Sequence, residues 1–539
     1  MTIRVITADE AARLVADNDT ILIGGSGAGH SVPDTLIGAV ARRFKAEGAP
    51  RHITTVHPVG LGDRAGRGIG HLAHSGLLKR VVCGTLVDSP PVERMAAANE
   101  IEAYTLPQGC LSQLTREIAA GRPGLVTHVG LDTFVDPRHG GGKQSARAGD
   151  DLVELIEVGG REYLFFKAFR VDVAFIRGTT ADEDGNITME HEAVFGEMIS
   201  MAQAARRCDG IVIAQVKRMA LRGALPPKQV KVPGMLVDAV VVDPDQTQTF
   251  FTVHDAAYAG EMRVPLQSIA ALPFSPRKVI ARRAALELFP GAICNLGSGV
   301  STGIASIAAE EDALDAVVLT NEQGLIGGAP ATGNEPGAGR NYMAMIDQPY
   351  QFDFYDGGGL DLAFLSFAEV DERCNVNVSR FGGRIIGPGG FINISQNAKA
   401  IVFSGTLTAG GLEIAWPGGR TTIAREGNER KYVRRVEQVT YSGPLGLRNG
   451  QRALYVTERA VFHRGDTGRL ELIEVAPGID IERDILAQMQ FRPDVASGLK
   501  TMDKRIFRPE AMGLSAIIAA NRRPARSARL ERLQAVGAI

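Results

Sequence analysis

Two stretches of this chain share one pattern: a short apolar strand, a glycine-rich loop, then a helix. The first runs from Thr20-Ile-Leu-Ile23 through Gly24-Gly-Ser-Gly-Ala-Gly29 to a helix expected from about Pro33 to Lys45. The second runs from Ala292–Leu296 through Gly297-Ser-Gly-Val-Ser-Thr-Gly303 to a helix around Ile304–Glu310. Further apolar runs, Val171–Ile176, Gly210–Ala214 and Ala400–Phe403, alternate with helical patterns. Such alternation implies α/β layers on largely parallel sheets. Two similar open α/β halves are therefore expected, residues 1–272 and 273–539. Their junction falls near Val264–Lys278, where Pro265, Pro273 and Pro276 crowd together.

The glycine loops do not complete a dinucleotide fingerprint. Gly25-Ser-Gly27 is followed by His30 where Gly or Ala is needed, and Gly297-Ser-Gly299 by Thr302. The strand around Ile53–Val56 ends in His57-Pro58, with no acid to hold a ribose. Close backbone approach to some other ligand stays open for both loops.

The segment Asp315–Pro330 carries the strongest chemical signal. Ala316–Leu319 reads as a buried strand, and Glu322 lies just past its end. Gly324, Gly327, Gly328 and Pro330 follow. Open α/β sheets bind ligands outside the carboxyl ends of their strands. A carboxylate placed there, with small residues clearing space, can meet a bulky substrate; an isolated loop Glu would merely be solvated.

Asn321-Glu-Gln-Gly324 resembles the catalytic-glutamate motif of the family I coenzyme A transferases, with both residues flanking the glutamate changed. Four more stretches carry the resemblance: Gly24–Gly29 with Pro33, Leu106-Pro-Gln-Gly109, Asn295-Leu-Gly-Ser-Gly299 and Gly387-Pro-Gly-Gly-Phe-Ile-Asn-Ile394. Their order over almost the whole chain is similar to the single-chain acetate/propionate CoA-transferases, relatives of the 3-oxoacid enzymes. The resemblance implies α-like and β-like halves packed around one site. It implies that Glu322 is acylated, that Gln108 donates to the reacting oxygen, and that Gly389 and Gly390 expose amides to it. It implies that Asn295, Gly297 and Gly299 approach CoA, with Gly27 a further close approach. The family's usual proline is absent at Val300 or Ser301, so the loop's path here is open. Acyl-CoA and small carboxylic acids are the implied partners, with CoA as substrate and covalent intermediate and no other cofactor. Homo-oligomerisation is implied as well. The alternatives are acyl-CoA hydrolysis by the same glutamate and a non-catalytic small-molecule-binding protein of related fold.

Charge and composition remove other classes. The 59 Lys and Arg balance 61 Asp and Glu, which suggests neither nucleic acid nor a membrane surface. The tail Asn521–Arg529 is basic and proline-broken, and reads as a frayed end. The N-terminus shows no signal-peptide pattern; Thr7–Glu10 fits a capping box instead. Phe289–Ala309 is uncharged but interrupted by Pro290, Asn295 and glycines, so no membrane span is expected. Five cysteines without a CxxC suggest reduced thiols in the cytoplasm. His71 and His74 have helical ligand spacing but no third ligand, so no metal is expected. Met189–Glu192 reads as a polar edge or turn. Cys110 lacks a nearby His and is not expected to be a nucleophile. Gly357–Gly359 is either structural or part of the acyl pocket.

Overall fold

The structure is a computed structural model that describes residues 2–265, 271–331, 333–521 and 532. Two large sheets organise it. The first draws eight strands from residues 4–242, in the spatial order Arg4–Val5, Ala239–Val242, Ile211–Val216, Val173–Arg177, Thr20–Ile23, Ile53–His57, Leu78–Cys83 and Glu102–Thr105. Every neighbouring pair is parallel. The order reverses beside Thr20–Ile23, so the Gly24–Gly29 loop leaves the sheet at its switch point, where open α/β sheets bind ligands.

The second sheet has ten strands from residues 293–501. Its centre is parallel: Val318–Thr320, Ile293–Leu296, Leu362–Ser366, Ala400–Ser404 and Arg452–Val456. Antiparallel neighbours follow on both sides, Leu325–Ile326 at one and Ala460–Arg464 at the other. Here the order reverses between Ile293–Leu296 and Leu362–Ser366, at the Gly297 loop. Each sheet is buried between two apolar clusters, as parallel strands require.

Local chemistry explains the helix starts. Thr7 and Glu10 form the expected capping box on Ala8–Arg13. Pro33 stands at the N-cap of Asp34–Glu47, and left-handed Gly48 ends it. Ser275 caps Pro276–Ala285. Residues 266–270 of the proline-rich junction and the basic tail after Asn521 lie outside the described residues.

The two sheets meet through the ends of their strands. Gly84, just past Leu78–Cys83, accepts from the Gly389 amide at 2.8 Å, and Leu86 N donates to Ile386 O at 2.7 Å. Gln108 N donates to Gly389 O at 2.9 Å, and Gly109 N to Asn393 Oδ1 at 3.1 Å. Arg116 forms a two-pronged pair with Asp353 at 2.9 and 2.7 Å. The Gly387–Gly390 loop is therefore bonded into the first sheet's functional edge. No helix among the described residues is long and apolar enough to cross a membrane.

Candidate active site

Glu322 sits at the tip of the turn joining Val318–Thr320 to Leu325–Ile326. Asn321 builds that turn: its Oδ1 accepts from Leu325 N at 3.2 Å, and its Nδ2 donates to Gly337 O at 2.8 Å. Gly324 has φ 104°, and a side chain there would collide with Ile346 O, so only glycine fits. The residues that depart from the family motif are thus used locally. Gln323 Nε2 also donates to Glu322 Oε1 at 3.3 Å.

The Glu322 carboxyl is half-buried and walled by protein. Burial raises its pKa to about 7, against the opposing Gln323 bond. Gly390 lies directly against it. An ideal Cβ on Gly390 would stand 2.9 Å from Glu322 Cδ and collide with Oε2. Among the described residues the Gly390 N–H has no acceptor. The Gly389 N–H is already taken by Gly84 O. This corrects the expectation of two free amides: φ is 52° at Gly389, and that amide points away into the first half.

Gln108 opens the helix Gln108–Ala119 and is 1% exposed. Its Nε2 donates to Gln348 Oε1 at 3.2 Å. Gln348 Nε2 in turn donates to Glu197 Oε2 at 3.0 Å, which also accepts from Ser112 Oγ at 2.9 Å. Burial pushes Glu197 up to about 8, with Asp347 adding repulsion and the Ser112 bond opposing both. Neither Gln348 nor Glu197 was expected from the sequence. Both reach Gln108 only through long-range folding, so no local motif marks them.

Glu322, Gln108, Gly297 and Gly390 line one cavity of about 300 Å³ between the sheets. Gly27 lines it too, beside Asp88. Its walls are largely apolar, with Val59, Val87, Leu365, Phe391 and Ile394. Two expected residues lie elsewhere. Asn295 is 1% exposed within its strand and donates to Tyr355 OH at 3.2 Å, joining Thr320 and Gln351 on that hydroxyl. It supports the floor behind Glu322, because a side chain on that strand face points into the core. Gly299 packs against Ser366, where a Cβ would be 2.8 Å from Oγ, and so serves loop packing.

Other sequence signals resolve. Cys110 is buried and its thiol is pushed well up by burial. All five cysteines are unpaired. His71 Nε2 lies 3.3 Å from Asp34 Oδ1, and His74 stacks on Phe44. Met189–Glu192 does turn, but its Glu192 is buried against Arg177 at 3.1 Å. Among the described residues one set, His191, His254 and Glu261, brings three possible ligand atoms within 4.8 Å, away from the cavity. Gly359 packs on the Phe354 ring, which gives that turn a structural part.

The coenzyme A transferase family model matches residues 5–243. Acetate CoA-transferase YdiF of Escherichia coli K12 is 44% identical over 510 residues, covering 94% of this chain and 96% of that protein. This chain belongs to the coenzyme A transferase family. The caffeate CoA-transferase of Acetobacterium woodii is also 44% identical, over 96% of this chain and 99% of its own. The solved acyl-CoA transferase YdiF of E. coli O157:H7, a thioester complex with CoA, superposes with TM-score 0.91 at 43% identity. It covers 95% of this chain and 97% of that one. The chain is therefore an enzyme of CoA transfer, built on two α/β sheets as the sequence implied.

Proposed function

We propose that this transferase moves CoA between short-chain acyl-CoA and carboxylic acids of the acetate and propionate type, through a glutamyl-CoA thioester on Glu322. The observation that carries the reading is the contact of Gly390 with the Glu322 carboxyl, beside a free amide and Gln108. Glu322 attacks the acyl-CoA carbonyl, giving an acyl-glutamyl anhydride and CoA thiolate. The thiolate attacks the glutamyl carbonyl and expels the first carboxylate. An acceptor carboxylate then reverses both steps, and Glu322 is restored. Keeping the thioester bond energy on the enzyme makes this ping-pong nucleophilic catalysis.

Each addition develops an oxyanion. Gln108 Nε2, with one N–H left after Gln348, and the Gly390 amide are its donors. Preorganised donors of this kind are each worth roughly 3 to 4 kcal/mol. No metal or redox group enters these steps. The 1–272 and 273–539 halves both supply the site, so neither is sufficient alone. A cytoplasmic homo-oligomer, with acyl-CoA and small acids as its partners, suits this reading. Hydrolysis would instead need water to attack the glutamyl thioester. The test is incubation with acetyl-CoA, with and without propionate. Propionyl-CoA formed at the expense of acetyl-CoA supports transfer; free CoA appearing without an acceptor supports hydrolysis.

A further inference from the structure

Arg64 stands where the cavity at Glu322 joins a second one of about 230 Å³, and it lines both. Among the described residues lining the two cavities it is the one cation. Both substrates of a CoA transferase are anionic, so whatever enters meets this guanidinium. The loop is built to present it. Arg64 has φ 64°, a conformation that side-chain-bearing residues rarely adopt. Its N–H donates to Asp88 O at 2.9 Å. Asp63 Oδ1 accepts from the amides of Ala65, Gly66 and Arg67 at 2.8, 3.0 and 3.1 Å. Gly62 lets the loop pass the Asp88 carbonyl, with which any side chain would collide.

The guanidinium itself is loosely held. Its partner is Asp88, at 3.7 Å from Nε, and the side chain is 57% exposed. Asp88 is buried against Gly27 and Gly60, and burial raises its pKa to about 6. An arginine has five donors in a planar fork, so one distant carboxylate leaves most of them unused. A strained backbone, a hydrogen-bonded loop and a guanidinium fork with one distant partner beside a cavity together describe an anion-binding residue.

We propose that Arg64 binds the phosphates of CoA. This rests on the reading that the thioester end of CoA lies at Glu322. Glu322 is half-buried, so the reacting end goes inward and the charged, solvated end of CoA stays at the exposed side, where Arg64 is. The small carboxylate acceptor has its place at the Glu322 carbonyl instead.

The test uses full-length Arg64→Gly, which deletes the guanidinium and suits φ 64°, beside Arg64→Lys. In ping-pong kinetics kcat/KM for each substrate is read independently. For Arg64→Gly, kcat/KM for acetyl-CoA is expected to fall about tenfold or more, the scale of a lost charge-assisted contact. For propionate it stays unchanged. With acetyl-pantetheine, which lacks the phosphates, variant and parent become equal. Arg64→Lys recovers part of the loss. A fall confined to propionate would make Arg64 a carboxylate site and overturn the CoA assignment. Unchanged values for both substrates would overturn anion binding altogether. At saturating acetyl-CoA the variant still acquires CoA on Glu322. Absence of that adduct in the parent enzyme would sink the Glu322 reading and leave the Arg64 kinetics to be judged separately.

Discussion

Glu322 lines the cavity and is half-buried, Glu197 is fully buried behind Gln348, and burial raises both, to about 7 and about 8. Their neighbours differ. Glu197 accepts from Ser112 and Gln348, which tie it into the scaffold. Glu322 has one long bond from Gln323, a glycine against its oxygens and an open cavity in front. A raised pKa therefore does not distinguish a nucleophile from a support. Access does: glycine clears space at one, and hydrogen bonds fill it at the other.

The largest effect expected from this contrast is at Glu322 itself. Glu322→Ala should abolish transfer between acetyl-CoA and propionate, measured by following both acyl-CoA species. Retained transfer would break the comparison. Gln108→Ala should lower kcat roughly a hundredfold to a thousandfold, with a smaller change in acyl-CoA binding, because an oxyanion donor acts in the transition state. A raised KM at constant kcat would assign Gln108 to ground-state binding.

Gly390→Ala forces a methyl into the Glu322 carboxyl. About a hundredfold loss in kcat is expected, the cost of displacing a reacting group by around 1 Å. The melting temperature should fall little, since the side that must yield is the cavity. Glu197→Gln keeps an oxygen for Ser112 and Gln348, so turnover should change less than about threefold. A loss as deep as that of Gln108→Ala would show that Glu197 is more than a support.

The smallest effects are in pH dependence, and there the two glutamates separate again. The nucleophile is the carboxylate form of Glu322, so kcat/KM for acetyl-CoA should rise with pH through about 7 and level off above it. Glu197→Gln should keep that limb. For stability the two act alike. Between the unfolded carboxyl value and the raised folded one, the folded state holds a proton that the unfolded state has lost. Stability from each group therefore falls as pH rises through that window. Glu322→Gln should flatten the slope of melting temperature against pH up to about 7, and Glu197→Gln up to about 8.

Much of the frame was legible in the chain. Thr20–Ile23 is found with the expected ends, because apolar β-branched runs between turn residues leave little choice. The strand before Glu322 is shorter and later than expected, Val318–Thr320, since Leu314–Ala316 forms a single tight turn first. The antiparallel neighbours that flank the centre of the second sheet were not foreseen; Leu325–Ile326 is two residues long and is defined by its partners rather than by periodicity. At the site, Glu322 and Gln108 were legible as motif residues. Which glycine keeps a free amide was not. That depends on Gly84, about three hundred positions from Gly389 in the chain. Asn295 looked like a ligand residue for the opposite reason: a motif marks its place, and only the strand shows that its side chain faces Tyr355. Arg64 was missed because its distinction is a backbone angle.

The central claim is that Glu322 carries CoA. Full-length enzyme treated with acetyl-CoA alone, then digested and analysed by mass spectrometry, should show CoA on the peptide containing Glu322. Addition of propionate should discharge it as propionyl-CoA. An adduct confined to another residue, such as Cys110, or transfer proceeding with no adduct on Glu322, would contradict the account.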